Sequence, residues 1–394
     1  MNETDPTRQS RLIYMDHSAT TPTHPDVVAA MLPYFTERFG NPSSLYRLAG
    51  TSRKALQEAR GRVARALGAS PSEVFFTAGG TESDNWAIKG VAFANRQRGR
   101  HIITSAIEHH AVLHTCQYLE TQGFTVTYLP VDRYGTVDPD TVRAAITDET
   151  VLISVMTANN EVGTFQPVEE IGRIAAEAGV YFHTDAVQAI GYVPIDVEKM
   201  HIDLLSLSAH KFSGPKGIGA LYIGEGVNID TFIHGGAQES ARRAGTENLP
   251  AIVGLGAAIE RATSDITGHS RKIADMRDRL LAGILAGIPD AQVNGHPVQR
   301  LPSNINVSFP GIDGEALLML LDAGGICCST GSACSSGSDL PSHVLMACGV
   351  DPALARSSIR LSLGDLTTDG DIDSVLAVLP GAVRRLRALS PVKT

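Results

Sequence analysis

Alternating strand-like and helical patterns predict an α/β protein with a mostly parallel central sheet flanked by helices. A change of texture after about residue 260 predicts a smaller C-terminal α+β domain. The predicted division is a large domain over 15–260 and a small one formed by 1–14 and 261–394. At 394 residues the chain is long enough for both.

Residues 26–35 and 53–67 carry apolar side chains at helical spacing. Val74-Phe75-Phe76 is a short apolar run ending at Gly79-Gly80, which reads as a strand entering a turn. A helix is predicted over 85–95 and strands over 101–104 and 125–129. Then come a strand (151–156), a helix (168–178) and strands over 181–184, 204–207 and 220–223. Strands separated by helices favour parallel pairing, and right-handed crossovers then gather the strand ends at one edge. Beyond this, 257–285 reads as one long or broken helix, 304–309 as a strand, 314–321 as a helix and 358–363 as a strand. No internal repeat, low-complexity tract or Pro-rich linker interrupts the pattern.

Hydrophobic residues make up 43%, enough for a large core in a soluble protein. The formal net charge of −9 disfavours non-specific binding to nucleic acid or anionic membranes. No apolar run approaches the roughly 20 residues that span a bilayer. The first ten residues are polar, with no signal-peptide core. The five cysteines are odd in number and irregularly spaced, which argues for reduced thiols. A cytoplasmic location is expected.

Lys211 ends the string Ser208-Ala209-His210-Lys211, directly after the apolar run Leu204-Leu205-Ser206-Leu207 and before Gly214, Gly217 and Gly219. A lysine on such a strand-to-loop turn is placed as a Schiff-base lysine for pyridoxal phosphate. Asp185 ends the run Tyr181-Phe182-His183-Thr184. A pyridoxal ring needs a carboxylate at its nitrogen, to keep that nitrogen protonated and the ring an electron sink. Asp185 equally reads as the N-cap of a helix over 186–190. Gln188, three residues on, could reach the ring hydroxyl. Gly79-Gly80-Thr81 before a helix offers N–H groups and a hydroxyl to a phosphate, or is simply a tight turn. Ser208 and His210 could add phosphate donors.

Asn160, in Asn159-Asn160-Glu161, could bind the ring hydroxyl or a substrate carboxylate; Asn-Asn is also a common loop pair. His109 follows the 101–104 strand and could stack on the ring and move protons; the alternative is one surface histidine and one buried one. Arg360 lies within an apolar strand pattern, where an unpaired arginine is costly. It grips an amino-acid carboxylate or forms a structural ion pair. Cys334 sits among small residues in Ser329-Thr330-Gly331-Ser332-Ala333-Cys334-Ser335-Ser336-Gly337, whereas Cys116 and Cys348 lie in apolar surroundings. Cys327, Cys328 and Cys334 lack the C-x2-C spacing of structural zinc sites, and no metal is expected.

Together these residues resemble the NifS/IscS group of cysteine desulfurases, among the class V aminotransferase-like, fold type I pyridoxal-phosphate enzymes. The resemblance covers nearly the whole chain. It begins at Tyr14-Met15-Asp16-His17-Ser18-Ala19-Thr20-Thr21-Pro22 and includes Gly80-Thr81-Glu82-Ser83-Asp84-Asn85, His183-Thr184-Asp185-Ala186-Val187-Gln188 and Arg243-Ala244-Gly245-Thr246-Glu247-Asn248. The Ser-x-Gly-Ser-Ala-Cys string around Cys334 is its most specific element. His17-Ser18 and Ala209 depart from the residues frequent in the family, without touching a catalytic role.

The resemblance implies that Lys211 anchors the cofactor, Asp185 pairs with the pyridine nitrogen and Gln188 with the ring hydroxyl. It gives the phosphate to Gly80, Thr81, Ser208 and His210, with Thr246 reaching in from the other subunit of a homodimer. His109 stacks and shuttles protons, and Asn160 and Arg360 bind the carboxylate of L-cysteine. Cys334 accepts the sulfur and passes it, as a persulfide, to an acceptor protein such as an iron–sulfur scaffold. The rival readings are an aminotransferase or selenocysteine lyase on the same fold, and a non-catalytic iron–sulfur scaffold.

Overall fold

The computed structural model describes residues 12–330 and 341–389. Strand β1 (Ile13–Tyr14) is followed by helices α1 (Pro25–Met31) and α2 (Pro33–Thr36). The single helix expected over 26–35 is split, because Pro33 has no N–H to continue α1 and instead starts α2. Helix α3 (Arg47–Leu67) begins earlier than the apolar periodicity indicates. It ends at Gly68, whose φ of 69° lets its N–H close on Ala64.

The central region runs β2 (Val74–Thr77), α4 (Gly80–Asn95), β3 (His101–Ser105), α5 (His110–Thr121), β4 (Thr125–Leu129), α6 (Pro139–Ala145), β5 (Thr150–Ser154), α7 (Val168–Ala178), β6 (Tyr181–Asp185), β7 (Leu204–Ser208) and β8 (Gly219–Ile223). These seven strands form one sheet in the order β2-β8-β7-β6-β5-β3-β4. From β7 to β4 all neighbours are parallel. Only β8 runs the other way, antiparallel to β7 and β2. The link from β7 to β8 holds just a short 3-10 turn at Ala209–Lys211, too little for a crossover, so the chain returns beside itself.

Helices α8 (Leu249–Thr263) and α9 (Ile266–Gly287) replace the one long or broken helix expected over 257–285. The break falls at Ser264-Asp265, where Asp265 caps α9 by accepting the Gly268 N–H at 3.0 Å. Alternate strand residues feed two cores, as the two-residue period requires. Ile103, Ile153 and Leu205 pack with Leu56, Ile171 and Leu255 of α3, α7 and α8. Ile102, Leu152 and Leu204 pack with Trp86, Val91 and Val112 of α4 and α5.

The remainder comprises β9 (Gln292–Asn294), β10 (Asn304–Ser308), α10 (Gly314–Ala323), β11 (Ile326–Cys327), α11 (His343–Ala347), α12 (Pro352–Arg356), β12 (Ser358–Ser362) and α13 (Asp369–Leu389). A three-stranded antiparallel sheet, β12-β10-β9, has its own core of Leu280, Phe309, Leu321 and Leu379. Met15 joins that core, and β1 pairs in parallel with β11. The α/β architecture with a smaller C-terminal sheet is the one expected. Among the described residues no helix is long and apolar enough to cross a membrane.

Two buried carboxyls tie separate segments together. Glu239 begins three non-glycine residues in the left-handed region, Glu239, Ser240 and Ala241, at φ 45°, 57° and 61°. Each such residue costs on the order of 1 kcal/mol, so the turn needs outside support. Arg60 on α3 supplies it, donating to both Glu239 carboxylate oxygens at 2.8 and 2.7 Å, while the Phe76 N–H of β2 donates at 2.9 Å. Glu108 joins the ends of β3 and β5: its Oε1 accepts from Ser105 Oγ at 2.6 Å and from the Met156 N–H at 3.0 Å. Its Oε2 is buried without a partner. Burial pushes this carboxyl from 4.5 to about 8.

Arg60→Ala leaves the Glu239 carboxylate buried and unpaired, and should cost about 3–5 kcal/mol in a urea melt. Between pH 4.5 and about 8 the folded protein keeps on Glu108 a proton that the unfolded chain has lost, so stability falls as pH rises through that window. Glu108→Gln should remove one proton's worth of that slope, about 1.4 kcal/mol per pH unit, read from melts at several pH values.

Candidate active site

The parallel strands bring their C-terminal ends to one edge of the sheet, where ligands of open α/β sheets bind. A cavity of about 350 Å3 lies there. Gly80, Thr81, Asn160, Asp185, Gln188, Ser208, His210, Lys211, His109 and Arg360 all line it.

The cradle before α4 is built by close packing. Gly79 has φ 151°, a conformation side chains rarely adopt, and no side chain caps the helix N-terminus. A Cβ on Gly80 would sit 2.7 Å from Val187 Cγ2. Gly219 of β8 presses against the same turn: a Cβ there would lie 2.5 Å from the Leu207 carbonyl oxygen and 2.7 Å from Gly79 Cα. Backbone N–H groups are thus left facing open space beside Ser208 and His210, a combination that suits a phosphate. A second opening shares Gly80, Thr81, Ser208 and His210. His210 Nδ1 lies 3.1 Å from Thr20 Oγ1. Burial, then the Lys211 charge, pushes His210 down to about 4.

Asp185 ends β6. It does not cap a helix, since 186–190 forms only turns. One carboxylate oxygen accepts the Val187 N–H at 2.8 Å. Burial raises its pKa to about 6, against the pull of that N–H and of Lys211. A buried acid on the cavity wall fits a cationic ring nitrogen, whose charge would restore the ordinary carboxylate. Behind it stands Asp84 of α4, also buried, with Oδ1 lacking a partner. Burial, then Asp185, raises Asp84 well above the carboxylate range. His183 Nε2 lies 3.7 Å from Asp84, and burial, which pushes His183 down to about 3, disfavours a charged imidazole there. His183 is held by Ser154 Oγ at 2.8 Å and Ser206 Oγ at 3.0 Å.

Lys211 follows β7, one strand from Asp185. Its Nζ donates to the carbonyls of Ser18 and, at 2.9 Å, Ala19. Gln188 Nε2 donates to the same Ser18 carbonyl at 2.9 Å. Arg360 of β12 reaches the cavity from the smaller sheet. Its guanidinium pairs with Asp16 at 2.7 Å and donates to the Asn160 carbonyl at 2.9 Å. The structural ion pair and the place on the cavity wall therefore coexist. Backbone bonds join Arg360 to Ser329, with the Ser329 N–H donating at 3.1 Å.

His109 caps α5, its Nδ1 accepting the Ala111 N–H at 3.1 Å. Burial, then Lys211 and the neighbouring histidines, pushes it down to about 4. Neither His109 nor His110 is fully buried or fully exposed. Thr246 is exposed and is not on this chain's cavity wall. Cys334 lies outside the described residues. Cys116 and Cys348 are buried thiols in apolar clusters. The wall also carries Ser18, Ala19, Asp84, Glu161 and His343, with Glu108 behind it, residues to which the sequence motifs assign no role. A buried Asp in the first turns of α4 was the one legible signal among them.

An anion cradle without side chains, a buried acid, and a lysine one strand away form a donor set that fits pyridoxal phosphate. The Aminotransferase class-V family model matches residues 13–375. The cysteine desulfurase IscS of Methanosarcina thermophila is 62% identical over 384 residues, covering 98% of this chain and 95% of that protein. A solved NifS-like protein superposes with a TM-score of 0.90 at 40% identity, covering 95% of this chain and 100% of that one. The structure described as SspA in complex with cysteine superposes with a TM-score of 0.80 at 41% identity, covering 89% and 98%. The chain belongs to the class V aminotransferase family and, within it, to the NifS/IscS group of cysteine desulfurases, fold type I pyridoxal-phosphate enzymes.

Proposed function

We propose a division of labour among the cavity residues by which this cysteine desulfurase removes sulfur from L-cysteine, leaving L-alanine and a persulfide on Cys334. The observation that carries it is the meeting of Lys211, Asp185 and Arg360 in one cavity, from β7, β6 and β12. Pyridoxal phosphate, when bound, supplies the sink for electrons released at the substrate α-carbon. Gly80, Thr81, Ser208 and His210 hold its phosphate. Asp185 would pair with the ring nitrogen, Gln188 and Asn160 would serve its hydroxyl, and His109 would pack against the ring.

Arg360 and Asn160 orient the substrate carboxylate. The Asp16 partner fixes the guanidinium in place before substrate arrives, so little ordering remains to be done on binding. Lys211 is the covalent anchor. Once displaced by substrate it is the amine that takes the α-proton and returns one. The two carbonyls around Nζ, from Ser18 and Ala19, hold it at the cavity wall. Cys334 attacks the substrate sulfur as a thiolate, which requires a base or a lowered pKa. The persulfide then passes to an acceptor protein, an iron–sulfur scaffold or another thiolation enzyme.

A homodimer completes the site in this reading. Leu32, Phe35, Phe39, Leu45 and Tyr46 expose apolar side chains along one stretch of chain, which favours a covering partner. Thr246, exposed here, would then serve the partner's phosphate. The free cysteines among the described residues fit a cytoplasmic protein.

Lys211→Ala should abolish both alanine release and the visible absorption of bound cofactor. Cys334→Ser should keep that absorption and lose protein-bound persulfide, measured by thiol-specific labelling. Undiminished sulfur release by the serine variant would exclude Cys334 as acceptor.

A further inference from the structure

With the substrate carboxylate assigned to Arg360 and Asn160 and its amine to Lys211, the thiol is left to face the remaining polar wall. Three imidazoles stand there, from His109, His110 and His343. Their nitrogens are not equivalent. His109 Nδ1 accepts the Ala111 N–H. An accepting nitrogen carries no proton, so the neutral ring has its hydrogen on Nε2 and can only donate from there. His110 Nδ1 is sealed in without a partner. Its ring is wedged 4.8 Å from that of His114 and 4.8 Å from that of His343.

His343 is the reverse case of His109. Its Nε2 lies 3.0 Å from the backbone carbonyl oxygen of Glu108. A carbonyl only accepts, so Nε2 must carry the hydrogen and Nδ1 the lone pair. The ring is partly exposed and begins α11, whose cap Ser342 donates to Glu161 Oε2 at 2.5 Å. The groups around it are His109, His110 and His114 from α5 and its cap, Glu108 behind the carbonyl, and Glu161 beneath Ser342. Lys211 and Arg360 share the same cavity.

We propose that His343, through Nδ1, is the base that takes the thiol proton of bound L-cysteine. The S–H bond breaks as the Cys334 thiolate forms the S–S bond: the proton forms imidazolium at His343 and later leaves to solvent, the S–H electron pair stays on the outer sulfur of the persulfide anion, and the pair of the breaking C–S bond goes to the substrate carbon. The Cys334 sulfur is thereby oxidised to the persulfide level and the substrate carbon reduced to that of alanine. His109, whose Nδ1 caps α5, then acts as a hydrogen-bond donor from Nε2. This assignment rests on the desulfurase reading above.

His343→Gln keeps an amide N–H able to meet the Glu108 carbonyl but offers no base. In the cofactor-loaded full chain, kcat/KM for alanine release should fall about a hundredfold. S-methyl-L-cysteine has no thiol proton, so the absorbance change it causes on binding should be the same in variant and wild type. His343→Asn, which also lacks a base, should match the glutamine variant. A glutamine variant with the wild-type kcat/KM overturns the proposal. So does equal weakening for S-methyl-L-cysteine, which marks a structural role. A wild-type protein that releases no alanine from L-cysteine overturns the desulfurase reading itself.

Discussion

The site depends on one close approach of backbone to backbone. Gly219 of β8 lies so near Gly79 and the Leu207 carbonyl that no side chain fits between them. This contact clamps the turn before α4 onto the hairpin-like return from β7 to β8. The first element carries the anion cradle and the second carries Lys211. Were β8 spaced normally from that turn, the lysine and the cradle would lie in different parts of the sheet edge. The reversed strand is therefore what brings Lys211 beside the glycine cradle in an otherwise parallel sheet.

Around that frame burial pushes the acids and imidazoles of the interior toward their neutral forms. Asp84, Asp185 and Glu108 are buried near one another, and burial raises all three. His183, His109 and His210 are pushed the other way. Like charges packed together cannot all ionise. Asp185 is the acid proposed to face a cationic ring nitrogen, whose charge would restore its ordinary carboxylate. The other two remain fixed polar groups that tie α4, β3 and β5 to the site.

Much of this is legible in the sequence. The central strands were visible as apolar runs, and Lys211, Asp185 and Gly80 were visible as polar or flexible residues placed where those runs stop. What stayed hidden was hidden for physical reasons. Helix α5 begins with a histidine cap, outside the Ser, Thr, Asp and Asn set that marks helix starts. The Asp185 stretch imitated a helix start because an N–H two residues on meets its carboxylate in a turn just as it would in a cap. The tautomers of His109 and His343 depend on which backbone group each ring meets, and no spacing encodes that. Arg360 was readable as an arginine in need of an anion, but not that Asp16, far away in sequence, would already supply one while leaving the residue on the cavity wall.

The anchoring of Ser329 to Arg360 has a geometric consequence for delivery. Cys334 is five residues beyond Ser329, and an extended chain advances at most about 3.6 Å per residue. Five residues beyond the Ser329–Arg360 bond reach at most about 18 Å, so a sulfur carried at that position, as proposed, would travel on a short leash. On that proposed role, a recipient would dock on the rim around β12 and bring its own reactive group within that reach.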